Sequence, residues 1–292
     1  MAPSRWRSTR GTRVRSGGAL VLVATPIGNL GDLSARAIAT FSQADEIWCE
    51  DTRRTRVLLN HAGIDGVKLR AVHEHNEAAA AVELVEKVAS GLTIAYASDA
   101  GMPGVSDPGE RLVAACAASD LAVSVVPGPS AAISALVISG LPSNRFVFEG
   151  FIARKGTERK DALARIASSD ATSILYESPN RIAATIADLA DACGPDRPGA
   201  VVRELTKIYE EVVRGPLAEL ISVKARGECV ILIAAASPKP IPTDADIDSA
   251  LLDGLADGLS ARDAANSVAK TLSVSKNRAY ERATAIKSSK LK

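Results

Sequence analysis

The chain has 292 residues, of which 47% are hydrophobic and 24% are charged, and its formal net charge is +1. A single domain has roughly 100–200 residues, so this length predicts about two domains with substantial cores, and the composition excludes a disordered polymer. No apolar run reaches the roughly 20 residues of a membrane-spanning helix, so we expect a soluble protein without a membrane partner.

Residues 1–18 contain five arginines and no acidic residue. They lack the apolar stretch of a secretory signal, so we expect a basic, disordered arm. A second basic region, residues 259–292, holds eight Lys or Arg against Asp263 and Glu281. Basic ends suit a polyanionic partner, because Arg and Lys displace counterions from phosphates, and a solvated tail without a partner is an equal alternative.

Residues 19–128 alternate between short apolar segments and helical patterns. The strand-like segments cover residues 19–26, 45–50, 67–72, 92–99 and 121–127. Continuous apolar strands separated by helices are typical of βαβ units whose parallel sheet is covered on both faces. We therefore predict an N-terminal α/β domain.

Residues 129–236 have a different pattern and predict a second α/β domain. A buried helix is expected within residues 128–142, and strand candidates over 199–205 and 207–215 are nearly adjacent, which predicts an antiparallel pair in a mixed sheet. After a proline-rich segment at 237–244, helices are expected at 245–255, 260–271 and 275–288, with Ser260 and Ser275 as N-caps. These three helices form a predicted C-terminal module, residues 243–292.

Three loops rich in glycine and proline follow predicted strands of the first domain, at residues 24–32, 98–109 and 126–131. Ligands of open α/β sheets bind at the carboxyl ends of the strands, and glycine lets backbone amides approach them closely. The sequence therefore predicts a ligand site here. The absence of a GxxxxGK[ST] motif, and of GxGxxG after the first strand, disfavours a P-loop nucleotidase and a dinucleotide site.

The cysteines and histidines do not predict a metal site. Cys49, Cys116 and the two later cysteines lie far apart without the paired spacing of zinc ligands, so we expect reduced thiols in a cytoplasmic protein. His73 and His75 are two residues apart and lack a matching third ligand, which favours hydrogen bonding to RNA or within a loop.

Several motifs occur in the order and spacing of a known family: ATPIGNLGDLS, CEDTRRTRVLL, HEHNE, SDAGMPGVSDPGERLV, VPGPSAAISAL, LPSNRFVFEGF and YESPNRI. Over residues 19–236 the chain resembles the ribosomal RNA small-subunit methyltransferase I family of the tetrapyrrole-methylase (class III) superfamily. Residues 258–283 resemble the helical C-terminal module of that family. The resemblance implies a homodimer that methylates the ribose 2′-hydroxyl of a cytidine in the decoding region of 16S rRNA, with the small ribosomal subunit as partner.

The resemblance also implies S-adenosylmethionine as cofactor, bound in the cleft between the two domains. Its contacts map onto the three loops and onto the second domain, at Ile27, Gly28, Asn29, Asp99, Gly101, Met102, Pro103, Gly104, Val105, Ser130, Ala131, Tyr176 and Leu205.

A ribose hydroxyl is a poor nucleophile, so a nearby carboxylate can assist by taking its proton. The candidates are Glu50, Asp51, Asp99, Asp107 and Glu177. The sequence does not choose among them, and a helix cap or loop hydrogen bond is the alternative for each.

Candidate substrate contacts are Arg53, Arg54, His73, Asn180 and Arg181. Arg53 and Arg54 open a predicted helix, where a cation gains nothing from the dipole, which favours phosphate contact over intrahelical pairing.

Two other functions remain open: a methyltransferase of small tetrapyrroles, and a ribosome-binding protein without catalysis. The basic arm and tail favour RNA.

Overall fold

The computed structural model describes residues 17–224, 226–237, 242–272 and 274–289, and divides the chain into two compact units, Met1–Ala236 and Ser237–Lys292. The predicted basic arm up to residue 16, and residues 238–241 of the proline-rich segment, lie outside the described residues. The predicted boundary at residue 128 stays a prediction, because both sheets belong to the first unit.

The first sheet is parallel, as the alternating pattern predicts, with the strand order β3-β2-β4-β1-β5. Its strands are β1 (Ala19–Val23), β2 (Glu46–Cys49), β3 (Leu69–Ala71), β4 (Thr93–Ala97) and β5 (Ala122–Val126). Its helices are α1 (Ala35–Gln43), α2 (Thr52–His61), α3 (Glu77–Ala89) and α4 (Glu110–Ala118).

Helices cover both faces of this sheet. Phe41 of α1 and Leu59 of α2 belong to the core on one face, and Leu84 of α3 and Leu112 of α4 belong to the core on the other. This double coverage explains why the inner strands β1, β2 and β4 are largely apolar, since neither side of these strands meets water, whereas Val123 and Val125 of the edge strand β5 are exposed.

The second sheet is mixed and has the order β6-β7-β10-β8-β9. Its strands are β6 (Phe146–Phe151), β7 (Thr172–Glu177), β8 (Pro198–Arg203), β9 (Glu211–Pro216) and β10 (Cys229–Ile233). β6 and β7 are parallel, and β10 runs antiparallel between β7 and β8. The remaining helices of this unit are α5 (Ala131–Ser139), α6 (Thr157–Ser168), α7 (Ile182–Cys193) and α8 (Leu217–Leu220).

Two details of the second sheet differ from the prediction. β8 and β9 pair antiparallel as expected, but β9 begins at Glu211 rather than at residue 207, because the backbone turns through left-handed residues at Glu204 and Thr206. Helix α5 packs only one side on the sheet, and Val137 on its other side is 72% exposed, so the expectation of a buried helix is wrong for that side.

The C-terminal unit consists of α9 (Asp244–Ala256), α10 (Ala261–Thr271) and α11 (Lys276–Ser289), packed around a small aliphatic core. The Ser260 hydroxyl accepts a hydrogen bond from the Asp263 amide at 3.1 Å, and the Ser275 hydroxyl accepts one from the Arg278 amide at 3.2 Å. Both predicted N-caps are therefore confirmed. Among the described residues, no helix combines the length and the apolar character that crossing a membrane requires.

Candidate functional site

The three predicted loops meet at the carboxyl edge of the first sheet. Thr25 and Gly101 exchange two backbone hydrogen bonds, of 2.9 and 3.1 Å, which join the loops after β1 and β4. The Ala24 amide donates to the carbonyl of Val126 at 3.1 Å, and a Cβ on Gly128 would lie only 2.9 Å from the Ala24 Cβ. Parallel strands bring these ends to one edge, and the backbone contacts then hold the loops together.

A cavity of about 370 Å³ lies between these loops and the second sheet. The first sheet's loops and the start of α5 contribute Ile27, Ala100, Gly101, Met102, Val105, Ser106, Asp107, Ser130 and Ala131 to its walls. The second sheet contributes Phe151, Tyr176, Glu177, Ser178, Pro179, Leu205, Gly227, Glu228, Cys229 and Val230. Mostly apolar walls with a few polar groups are typical of a site for a small organic ligand.

Gly101 is the glycine whose conformation matters most in this wall. Its φ is +77°, a value that a residue with a side chain rarely adopts, and its hypothetical Cβ would lie 3.4 Å from Ile27 Cγ2. The missing side chain therefore leaves the backbone of the loop open to a ligand. Gly104, with a φ of +80°, shapes the same turn without lining the cavity.

Eight of the thirteen predicted cofactor residues line this cavity: Ile27, Gly101, Met102, Val105, Ser130, Ala131, Tyr176 and Leu205. The other five, Gly28, Asn29, Asp99, Pro103 and Gly104, do not. The Asn29 side chain accepts a hydrogen bond from the Gly31 amide at 3.0 Å and so caps a short 3-10 helix. Asp99 lines a smaller neighbouring cavity of about 100 Å³, together with Arg54. The binding roles of all thirteen stay predictions.

Asp51, Glu50 and Asp99 form an acidic group beside the cavity. Asp51 caps α2 and pairs with Arg53 at 2.8 Å, and the hydrogen bonds from Arg53 lower the pKa of Asp51 to about 2. Burial raises the pKa of Asp99, whose carboxylate accepts the Asp51 amide at 3.0 Å. Burial and the charge of Asp99 raise the pKa of Glu50. None of the three lines the main cavity.

Glu177 lies on the cavity wall, but both of its oxygens already have partners. One oxygen accepts the Ser178 amide at 2.8 Å, and the other accepts the Thr185 hydroxyl at 2.7 Å and lies 3.2 Å from the Arg181 guanidinium. Arg159 donates to the same Thr185 hydroxyl at 3.2 Å. Glu177, at 3% exposure, is thus part of a buried polar network.

Asp107 also lies on the cavity wall, and no cation of the described residues pairs with it. The pKa of Asp107 is raised to about 6: burial is the largest cause, the nearby charge of Glu50 acts in the same direction, and a hydrogen bond with the Ser98 side chain opposes them. Asp107 is therefore the wall carboxylate whose charge is least compensated.

The predicted substrate residues lie outside the main cavity. Arg53 and Arg54 are exposed at the start of α2, and Arg54 lies 3.4 Å from Asp99. His73 is exposed in the turn before α3, with its ring centroid 5.9 Å from that of His75. Asn180 is exposed, whereas the Arg181 guanidinium is held by Glu177 and by the carbonyl of Ile152.

Sequence reasoning missed two parts of the wall. Phe151, 61% exposed, ends a strand whose pattern did not mark it as part of a site. The segment 227–230 lies at the wall because β10 is antiparallel to β7, which brings its amino end to the carboxyl end of β7. That placement depends on strand pairing, and no local signal in the sequence reveals it.

Comparison with known proteins gives a consistent result. The family model of Tetrapyrrole (Corrin/Porphyrin) Methylases matches residues 19–221. A protein of Synechocystis named ribosomal RNA small subunit methyltransferase I is 41% identical over 270 residues, which cover 90% of this chain and 96% of the relative. A Xylella fastidiosa protein of the same name is 49% identical over 226 residues, 75% of this chain and 82% of the relative.

Solved structures share the fold at lower identity. The methyltransferase CobJ superposes with a TM-score of 0.59 and 21% identity, covering 78% of this chain and 98% of that one. Diphthine synthase superposes with a TM-score of 0.56 and 16% identity, covering 74% of this chain and 90% of the other.

Proposed function

We propose that this chain methylates RNA of the small ribosomal subunit. It belongs to the tetrapyrrole (corrin/porphyrin) methylase family and, within it, to the ribosomal RNA small subunit methyltransferase I family. In finer detail, we propose transfer from S-adenosylmethionine to the ribose 2′-hydroxyl of a cytidine in the decoding region of 16S rRNA. The names of the relatives support the RNA substrate, and the motif resemblance is the basis for the finer activity.

The observation that carries the proposal is the apolar cavity between the two sheets, where the missing side chain of Gly101 leaves the loop backbone accessible to a ligand. Ile27 and Leu205 would offer apolar surface to S-adenosylmethionine, and the backbone around Gly101 and Ala131 would offer polar groups. These residues fit such a ligand. When bound, S-adenosylmethionine supplies a methyl group on a positively charged sulfur.

The residues of the cavity contribute mainly by positioning. Methyl transfer is an in-line displacement, in which correct alignment of the reacting atoms can supply about 7–11 kcal/mol of the barrier reduction in favourable cases. The double hydrogen bond between Thr25 and Gly101 fixes two of the loops, and the Tyr176 hydroxyl accepts the Ala132 amide at 3.1 Å, which fixes the start of α5. The walls are thereby held rigid before substrate arrives.

The surroundings of the cavity suit RNA better than a compact macrocycle. Arg53, Arg54 and Arg56 are exposed at the same sheet edge, where they offer charge to phosphates. Phe151 presents an aromatic face at the cavity, on which an unstacked base can lie. The tetrapyrrole alternative draws its support from the shared fold.

We further propose a cytoplasmic homodimer. Edge strand β5 exposes Val123 and Val125, and helix α5 exposes Ile133 and Val137. Exposed apolar side chains of this kind are typical of surfaces that a partner covers. Light scattering coupled to size exclusion tests the dimer, since a monomeric mass at micromolar concentration contradicts it.

Labelled S-adenosylmethionine tests the function directly. The protein is incubated with purified small ribosomal subunits, with protein-free 16S rRNA and with a precorrin-type substrate. We expect label in RNA and an alkali-resistant linkage at one cytidine, because a 2′-O-methyl group blocks cleavage at that position. Label confined to the small molecule would establish the tetrapyrrole alternative, and failure to bind S-adenosylmethionine in calorimetry would establish the non-catalytic one.

A further inference from the structure

The acidic side chains on the cavity wall differ in the hydrogen bonds and ion pairs that they already make. Glu177 has partners on both oxygens, and Glu228 accepts a hydrogen bond from the Lys207 ammonium at 2.9 Å. Among the described residues, Asp107 is the wall carboxylate without an ion pair. Its remaining lone pairs are thus available to a substrate hydroxyl.

The loop that carries Asp107 is fixed from both sides. Within the loop, the Gly104 amide donates to the carbonyl of Pro108 at 3.1 Å, and Ser106 adopts a left-handed φ of +62°. On the facing strand β6, Gly150 has a φ of +63°, and a Cβ there would lie 3.2 Å from the Ser106 hydroxyl. The β6–β7 register shifts between Phe148 and Gly150, so an irregularity in β6 lies where the loop approaches it.

The groups that face Asp107 are acidic or neutral. Glu50 at the end of β2 and Asp99 after β4 place negative charge near it, and the phenols of Tyr96 and Tyr176 are close enough to feel its charge. Burial is the largest cause of the raised pKa of Asp107, which is about 6. A carboxylate with this pKa is ionised at pH 7–8, yet it is a stronger base than an ordinary aspartate.

We infer that Asp107 accepts the proton of the ribose hydroxyl during methyl transfer, an inference that rests on the proposed function. The ribose oxygen forms a bond to the methyl carbon while the carbon–sulfur bond breaks, and the electron pair of that bond stays on the sulfur. The hydroxyl proton passes to the Asp107 carboxylate, which later releases it to water. The sulfonium becomes a neutral thioether, so charge and atoms balance.

The test compares Asp107→Asn with the matched control Glu110→Gln, which makes the same chemical change on an exposed residue three positions away. We expect the control to bind S-adenosylmethionine with a Kd within about twofold of the wild type, and Asp107→Asn to lose much less affinity than rate. The single-turnover rate on small ribosomal subunits should fall about 10²–10⁴-fold in Asp107→Asn, the usual contribution of general base catalysis, and stay unchanged in the control. Asp107→Glu should recover part of the rate.

Two pH measurements add readouts that a structural role would not move. The single-turnover rate of the wild type should decline as pH falls through about 6, and the rate of Asp107→Asn should not show this decline. Carbon-13 NMR of the free protein should show the Asp107 carboxyl titrating near pH 6, with no donor or RNA present. The melting temperature of Asp107→Asn at pH 8 should be equal to or above that of the wild type, because burial disfavours the charge that the variant removes.

Each contrary result has its own meaning. If the wild type binds S-adenosylmethionine but labels no RNA, the proposed function fails and the inference fails with it. If the wild type labels RNA and Asp107→Asn does so at a similar rate, the inference alone is overturned. If Asp107→Asn loses donor affinity in proportion to its rate, Asp107 is a binding residue and the inference is likewise overturned.

Discussion

Replacing Gly28 by alanine tests how the first loop and the second sheet together form the cavity. A Cβ at Gly28 would lie 2.8 Å from the carbonyl oxygen of Leu205 and 2.6 Å from Cγ of Lys207. The lysine stem can rotate away, but the carbonyl belongs to the backbone between the left-handed residues Glu204 and Thr206. The clash with Leu205 therefore requires backbone movement.

The size of the effect follows from that distance. The two segments must separate by about 0.6 Å to reach an ordinary contact of 3.4 Å. Overpacking of this kind costs about 1–3 kcal/mol. Ile27 and Leu205 both line the cavity, so the separation widens it, and a loss of about 1.4 kcal/mol in binding raises the Kd for S-adenosylmethionine about tenfold.

Calorimetry and thermal melting measure both consequences. We expect Gly28→Ala to raise the Kd about tenfold and to lower the Tm by a few degrees. Gly17→Ala is the control, because nothing lies within 4 Å of its Cβ position. In a double-mutant cycle, Lys207→Ala should not restore affinity to Gly28→Ala. Wild-type affinity and Tm in Gly28→Ala would refute the rigidity of this contact, and full rescue by Lys207→Ala would show that the side chain alone causes the clash.

Three further predictions concern other parts of the first unit. Phe151→Ala should weaken RNA binding by about 1–3 kcal/mol, the value of a base stack, whereas Phe146→Ala, on the same strand but outside the cavity wall, should not; filter binding measures the RNA affinity. Thr185→Val removes a hydroxyl donor from buried Glu177, so urea denaturation should show a loss of about 1–3 kcal/mol in unfolding free energy. Burial raises the pKa of Glu46, but hydrogen bonds from two lysines and an indole outweigh it and lower the pKa to about 2. Glu46→Gln should therefore be less stable than the wild type at pH 7, and the difference should shrink as pH falls from 4.5 toward 2; equal stability at pH 7 would contradict this.

Local patterns were sufficient to predict the first sheet. Its inner strands β1, β2 and β4 are parallel and buried on both faces, so over these strands the sequence alternates between apolar strands and helices with no ambiguity of face. The loops after β1, β4 and β5 therefore had to meet at one edge. Serine caps such as Ser260 are equally local, since the hydroxyl and the amide that it accepts from are three residues apart.

The features that sequence reasoning missed depend on contacts between distant segments. β10 lies between β7 and β8 although it follows β9 in the chain, and no pattern within its five residues specifies that position. The turn before β9 requires left-handed backbone at Glu204 and Thr206, residue types that do not signal it. Exposure on α5 was missed for a related reason, because a uniformly apolar helix does not show which side faces the sheet.

The acidic residues show how three-dimensional contacts separate candidates that are equivalent in sequence. Asp51 accepts the first amides of α2, Asp99 accepts the Asp51 amide, and Glu177 accepts the Ser178 amide. Turning any of these carboxylates toward a substrate leaves a backbone amide without an acceptor, at a cost of about 1–3 kcal/mol where the amide is buried. No hydrogen bond from a backbone amide holds Asp107 among the described residues, and the neighbouring Ser98 hydroxyl already has another acceptor in the carbonyl of Ala100 at 3.3 Å. The hydrogen bonds that a carboxylate already satisfies therefore decide which one is available to take a proton.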